Sequence, residues 1–265
     1  MVHRRVDYPP AQGYWHRLKY LSPKVDRYIC ISAAIQQVLA TYGVPASRLS
    51  IVRSAVDAGP FASINRSLAQ QTLRAEWGLT STRPIIGNIA YITEQKDHAT
   101  LIRALALVRD EGLDFFAFIA GDGELRRAAE DLAASLQLGP DRLRFLGLRQ
   151  DAPQLLGACD IFALSSQDEG LGTSLLDAVH SGCALVTTAV GGIPEIVIHE
   201  QTGLSSPAHD AARFAQNLSR LLRDRALAQT LCAAAQLHVQ REFSLQSMVD
   251  GNLRVYKELT EGLQK

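Results

Sequence analysis

Long apolar runs are missing from this chain of 265 residues. No stretch approaches the ~18–20 apolar residues of a membrane-spanning helix, and Met1 to Pro10 carries no apolar block of the signal-peptide kind. Net charge is missing too: 27 Lys and Arg stand against 27 Asp and Glu, which argues against bulk nucleic-acid binding. The four cysteines, Cys30, Cys159, Cys183 and Cys232, lie far apart in apolar contexts without a C-x-x-C pair, so neither a disulfide framework nor a zinc site is indicated. Free, mostly buried thiols in a reducing cytoplasm are expected. Repeats and low-complexity tracts are absent as well. Charge is uneven only locally. Before position 60, Arg4, Arg5, Arg17, Lys19, Lys24, Arg27, Arg48 and Arg53 face Asp7, Asp26 and Asp57. That excess suits either an anionic membrane surface, at the inner face of a membrane, or an ordinary solvated face.

What is present is a globular composition, 47% apolar, with short apolar runs alternating with helical periodicities. Tyr28–Ile31 precedes a helix to Thr41, Ile85–Gly87 a helix from Asp97 to Asp110, and Phe115–Ala120 a helix from Glu124 to Leu136. Leu143–Leu146, Ile161–Leu164 and Ala184–Thr188 continue the series, and helices over 210–222, 225–240 and 244–259 close it. Strands without polar alternation, separated by helices, predict an α/β fold with a Rossmann-like, doubly wound parallel sheet from about residue 83 to 240.

The richest segment is Ser165-Ser166-Gln167-Asp168-Glu169-Gly170-Leu171-Gly172-Thr173-Ser174-Leu175-Leu176-Asp177. It reads as a strand end, a glycine loop and a helix starting near Thr173. Such a start aims unpaired N–H groups and a positive dipole end at whatever fills the loop, which suits a phosphate. Glu169 in the loop and Asp177 one turn inside the helix are both placed to face one ligand, and carboxylates suit hydroxyl groups, as on ribose and hexose. Acidic residues near a helix start also complement the dipole of any helix, by ~0.3–1 kcal/mol. A second candidate is Lys96, ahead of a helix after the first strand of this domain, where a lysine can reach a diphosphate as a compact charge. Gly121-Asp122-Gly123 forms a third loop. It invites comparison with dinucleotide-binding turns, but G-x-G-x-x-G fails at Arg126 and the loop follows the second strand, so an NAD site is disfavoured.

Glu169, the glycines and Asp177 eight positions on resemble the Glu-x7-Glu motif of the retaining GT-B glycosyltransferases of family 4 (group 1), with Asp in place of the second Glu. The resemblance runs on in order. Lys96 matches the family's donor-diphosphate lysine, with Tyr91 where the family has an arginine; Gly121-Asp122-Gly123 matches its Gly-Asp-Gly turn, and Phe145-Leu146-Gly147 the backbone around the base. Gly191-Gly192-Ile193-Pro194-Glu195 and Glu242-Phe243-Ser244 complete the series. It implies transfer of a hexosyl-type sugar from a nucleoside-diphosphate-sugar to an acceptor hydroxyl, with retention, in cell-envelope polysaccharide or glycolipid synthesis. No metal and no cofactor is implied, since the nucleotide-sugar is a substrate. Glu169, Lys96 and His3 take catalytic roles on this resemblance, and Gly170, Leu171, Gly172, Thr173, Asp177, Tyr91, Gly121, Asp122 and Leu146 bind the donor.

Residues 1–52 resemble only the last part of the family's acceptor-side domain, so the chain reads as truncated there. Residues 53–82 then form a linker and helix, 83–243 the donor-binding domain, and 244–265 a helix crossing back. With the acceptor side incomplete, the apolar face of that last helix (Leu245, Met248, Leu253 and Tyr256) is expected to be partly exposed, favouring a homodimer or low solubility. Other classes fit less well. Gly172-Thr173-Ser174-Leu175-Leu176 lacks the last glycine of G-x-S-x-G, and no carboxylate pair marks a glycosidase. The rival is a non-catalytic nucleotide-sugar-binding module or an inactive relative, which would bind donor without turnover.

Overall fold

The computed structural model describes residues 1–5, 10–11, 13–80 and 82–262; Asp7, counted among the early acidic residues, lies outside the described residues. Strands β1 (Val2–Arg4), β2 (Tyr28–Cys30) and β3 (Leu49–Ile51) pair in parallel in that order, with α1 (Tyr14–Leu21) and α2 (Ala33–Tyr42) in the crossovers. Helices α3 (Gly59–Ala62) and α4 (Arg66–Trp77) lead into a second sheet. Its strands are β4 (Ile85–Ile89), β5 (Phe116–Ala120), β6 (Leu143–Gly147), β7 (Ile161–Leu164), β8 (Ala184–Thr188) and β9 (Leu204–Ser206). Between them run α5 (His98–Asp110), α6 (Arg126–Ser135), α7 (Ala152–Ala158) and α8 (Thr173–His180). Helices α9 (Ala211–Arg223), α10 (Arg225–Glu242) and α11 (Leu245–Gly262) follow.

The second sheet is parallel throughout, in the order β6-β5-β4-β7-β8-β9. Counted from its first strand this is the 3-2-1-4-5-6 order of doubly wound folds, which hold ligands outside the strands' carboxyl ends where the order reverses, here between β4 and β7. Unbroken apolar strands follow from having both faces covered. In β5, Phe116, Phe118 and Ala120 enter one core and Ala117 and Ile119 the other, and every residue of the strand is buried. Capping agrees with the sequence: Asn65, Asp97, Asp210 and Asp224 each accept a bond from an N–H in the first turn of the helix that follows.

Two expectations need correction. The apolar residues of α11 form one broad arc, of which one edge is covered and the other exposed. Met248 with Val255 and Leu259 packs against Ile29 and Val52, whereas the adjoining Leu245, Val249, Leu253 and Tyr256 remain exposed. The basic excess before position 60 is also partly taken up inside the fold. Arg27 pairs with Glu258 at 3.4 Å, Arg53 with Glu195 and Glu242, Arg48 donates to the Ser22 carbonyl, and Arg4 to the Tyr20 hydroxyl.

Candidate functional site

At the carboxyl ends of β4 and β7 the backbone turns away from the sheet on both sides of the reversal point. After β4, Glu94–Lys96 forms one 3-10 turn, and Asp97, at φ 41°, starts α5 while its side chain caps it. The turn is pinned from beneath. Ser165 Oγ, at the end of β7, donates to the carbonyls of Lys96 (3.1 Å) and Asp97 (2.9 Å). Buried His98 places Nε2 3.0 Å from Asn88 Oδ1, and Asn88 donates to the Ala163 carbonyl on β7. Burial, with Lys96 nearby, pushes the His98 imidazole down to about 4, so it is neutral and fits this apolar layer.

After β7 the chain passes through buried Ser165 and Ser166 to Glu169, and Gly172, at φ 80°, precedes α8 with no side chain capping the helix. Lys96 and Glu169 meet across the reversal point, with the Lys96 ammonium on Glu169 Oε2 and both side chains largely buried. Ser166 Oγ donates to the same oxygen at 3.3 Å. Both bonds fall on Oε2, so Oε1 keeps its lone pairs for another donor.

The pair opens onto a cleft of about 360 Å³ lined by Tyr91, Lys96, Gly121, Arg149, Glu169 and Thr173, among others. Gly121 is required there: at φ 150° its missing Cβ would stand 1.9 Å from the Ala90 carbonyl oxygen. Close backbone approach leaves room above the sheet for a ligand. The cleft therefore combines two cations, Lys96 and Arg149, one carboxylate and an uncapped helix start, a combination that can hold a phosphate and hydroxyl groups.

Of the residues singled out by sequence, Lys96, Glu169, Tyr91, Gly121, Gly172 and Thr173 share this cleft, and the others do not line it. Gly170 faces the amino-terminal unit instead, where a Cβ would stand 2.6 Å from the Arg5 carbonyl oxygen. Leu171 is buried in the core, Leu146 packs against that core, and Asp122 binds the Gly123 N–H and pairs with Arg126 at 3.8 Å. Asp177 sits half-buried within α8, where burial raises its carboxyl to about 6. His3 is exposed on β1.

Residues 69–238 match the family model for glycosyl transferases group 1. The chain belongs to the group 1 glycosyltransferases. It is 34% identical over 230 residues to D-inositol 3-phosphate glycosyltransferase of Salinispora arenicola, covering 82% of this chain and 51% of that protein. It is 24% identical over 254 residues to the lipopolysaccharide core biosynthesis glycosyltransferase LpsE of Rhizobium meliloti, covering 96% and 68%. The chain thus spans about half the length of the first of these relatives. In fold it is similar to Anabaena Alr3699/HepE in complex with UDP, with a TM-score of 0.85 at 22% identity over 98% of this chain and 72% of that one. The glycosyltransferase from Rickettsia africae also gives 0.85 at 22% identity, over 98% and 70%. Both place the fold among the GT-B glycosyltransferases.

In this group 1 glycosyltransferase the sequence reading missed Arg149. It follows β6 and lines the cleft, held bidentate by Asp151 at 2.7 and 2.6 Å, with Glu76 at 3.7 Å. The Asp151 hydrogen bonds hold its guanidinium above the usual arginine range. An arginine two residues beyond Gly147, at a strand's carboxyl end, is the signal that could have found it.

Proposed function

We propose that this chain carries the donor site of a family 4 enzyme. It would transfer a hexosyl-type sugar, with retention, from a nucleoside-diphosphate-sugar to an acceptor hydroxyl in cell-envelope polysaccharide or glycolipid synthesis. The observation that carries the reading is the Lys96–Glu169 pair at the uncapped start of α8. In this reading the acceptor oxygen forms its bond to the anomeric carbon as the bond to the diphosphate oxygen breaks. The acceptor proton leaves with the diphosphate. Lys96 and the α8 amino terminus stabilise the charge that builds on that leaving group, in a cleft whose dipoles are oriented beforehand. Glu169, freed from Lys96 as the diphosphate enters, holds the sugar hydroxyls, and Asp177, at the second acidic position of the family's motif, serves the ribose. Support for the donor class comes from the HepE complexes with UDP and with UDP-glucose, and for the acceptor class from the lipopolysaccharide core enzyme.

We place the protein in the cytoplasm at the inner face of the membrane, with exposed Tyr14 and Trp15 beside Arg17 and Lys19 on α1 as the face that suits an anionic surface. The exposed stripe of Leu245, Val249, Leu253 and Tyr256 on α11 is the surface through which self-association would occur. No helix among the described residues is long and apolar enough to cross a membrane.

A thermal-shift panel of UDP, GDP, ADP and their sugar conjugates tests the donor site. A nucleotide at ~100 times its Kd adds ~2.7 kcal/mol of stability; Lys96→Ala should remove that shift, and Glu169→Ala should remove the extra shift that a sugar conjugate gives over its bare nucleotide. Silence from every nucleotide, with a folded protein, overturns the reading. Tyr91 in the arginine position favours a second reading, a module that binds donor without turnover. A donor shift with no sugar release to water or acceptor would establish that alternative.

A further inference from the structure

We infer that Glu195 is a positioning residue that latches the amino-terminal unit to the Glu169 loop; the inference rests on the donor-site reading of Glu169. Glu195 closes the 3-10 turn Ile193–Glu195 after β8, and its side chain is 14% exposed. Its Oε1 accepts from the Ala33 N–H at 2.6 Å, and its Oε2 accepts from Arg53 Nε at 3.0 Å. Its carbonyl lies 2.8 Å from His238 Nε2. Arg53 also reaches Glu242 at 3.5 Å, with its guanidinium 5.6 Å from the Phe243 ring.

Helix α2 has no acidic residue in its first turn. Ser32 satisfies the Ile35 N–H, and the anion that complements the start of the helix arrives from 162 residues away. The same turn holds the Glu169 loop: the Gly192 N–H donates to the Glu169 carbonyl at 2.9 Å. Contact is tight on both sides, since a Cβ at Gly192 would stand 2.4 Å from the Gly170 carbonyl oxygen and 3.0 Å from Ser32 Cβ. Residues 169–170, 192–195 and 32–33 therefore meet at one point. A shift of α2 against the six-stranded sheet passes through Glu195 and Gly192 to the Glu169 backbone, and so to the carboxylate that meets Lys96.

The test compares wild type, Glu195→Ala, Glu195→Gln and Arg53→Lys by hydrogen exchange and by titration with UDP and UDP-glucose. Glu195→Ala should speed exchange in peptides covering 31–36 and 166–172. It should weaken UDP-glucose by about tenfold while leaving UDP unchanged, because only the sugar depends on Glu169. Glu195→Gln retains an acceptor for the Ala33 N–H and should restore slow exchange over 31–36 but not the full UDP-glucose affinity. Unchanged exchange over 166–172, or UDP and UDP-glucose weakening together, overturns the latch. Wild type binding neither nucleotide removes the donor-site reading, and the exchange comparison still decides whether Glu195 restrains the Glu169 loop.

Discussion

The two sheets of this molecule are built by opposite means. In the six-stranded sheet each central strand is buried on both faces; one core comes from the sheet and its own helices, and the other is shared with the amino-terminal unit. The three-stranded sheet has strands of three residues, with His3 exposed, and draws on its neighbours to be finished. Met248, Val255 and Leu259 of α11 cover Ile29 and Val52. Tyr28, Cys30, Ile35 and Leu39 join the same cluster as Leu171 and Ile193 of the larger unit. Glu195 supplies the anion at α2. The larger unit therefore carries the cleft on a rigid scaffold of its own, while the smaller one takes its position from contacts with it.

The largest expected effect tests the scaffold half of that contrast. Gly121→Ala pushes a methyl group against the Ala90 carbonyl at a backbone angle that alanine resists, and should cost about 4 kcal/mol or more. Urea unfolding reads the loss, and the nucleotide shift should vanish with it. The dependent half is tested by Ile29→Ala, which opens a gap under α11 and should cost about 3 kcal/mol. Because the small unit shares its core with the large one, fluorescence and circular dichroism should still report one coincident transition. Two separate transitions would show that the amino-terminal sheet is an independent body.

The same contrast explains what was legible in the sequence. Unbroken apolar strands such as Phe116–Ala120 announce a parallel sheet covered on both faces, and the chain order places β4 and β7 at the reversal, so Lys96 and Glu169 could be named from local pattern alone. Asp177 shows the limit of such a reading, because helical tilt gives a direction and not a depth; it is half-buried and is not among the residues lining the cleft. Gly170, in the same glycine loop, packs closely against the Arg5 carbonyl, a contact that local pattern does not show. Arg149 and the bond between Glu195 and Ala33 were invisible, because each depends on which loops the fold brings together and not on spacing along the chain.

A smaller effect follows from protonation in the six-stranded unit, where Asp177 and His98 have opposite signs. Asp177 is raised from 3.8 to about 6, so its contribution to stability is full below pH 3.8 and is lost as pH rises through about 6. His98 is lowered from 6.5 to about 4, so its contribution is present above pH 6.5 and is lost as pH falls toward 4. Asp177→Asn removes the first without touching the second. The variant should be more stable than wild type by about 2 kcal/mol at pH 7. Urea midpoints at pH 7 and pH 4 check this, since the difference must close at the lower pH. A constant difference would place the effect of Asp177 in packing instead of charge.

The smallest effect on folding belongs to the least covered part of the small unit. Trp15 is 78% exposed and its ring stands edge-on to Tyr14 at 5.5 Å, beside Arg17 and Lys19 on a helix with no acidic residue in its first turn. An aromatic side chain this exposed contributes little to the core, so Trp15→Ser should change stability by no more than about 0.5 kcal/mol. Its effect should appear on a surface instead. Co-sedimentation with vesicles containing anionic lipid should fall for the variant, and fall again with added salt for wild type, since the basic residues act through screened charge. Equal vesicle binding by variant and wild type would remove α1 as the membrane face and leave Trp15 as a residue exposed without that role. A large loss of stability would mean instead that α1 belongs to the shared core, and the division between a self-sufficient sheet and a dependent one would have to be redrawn.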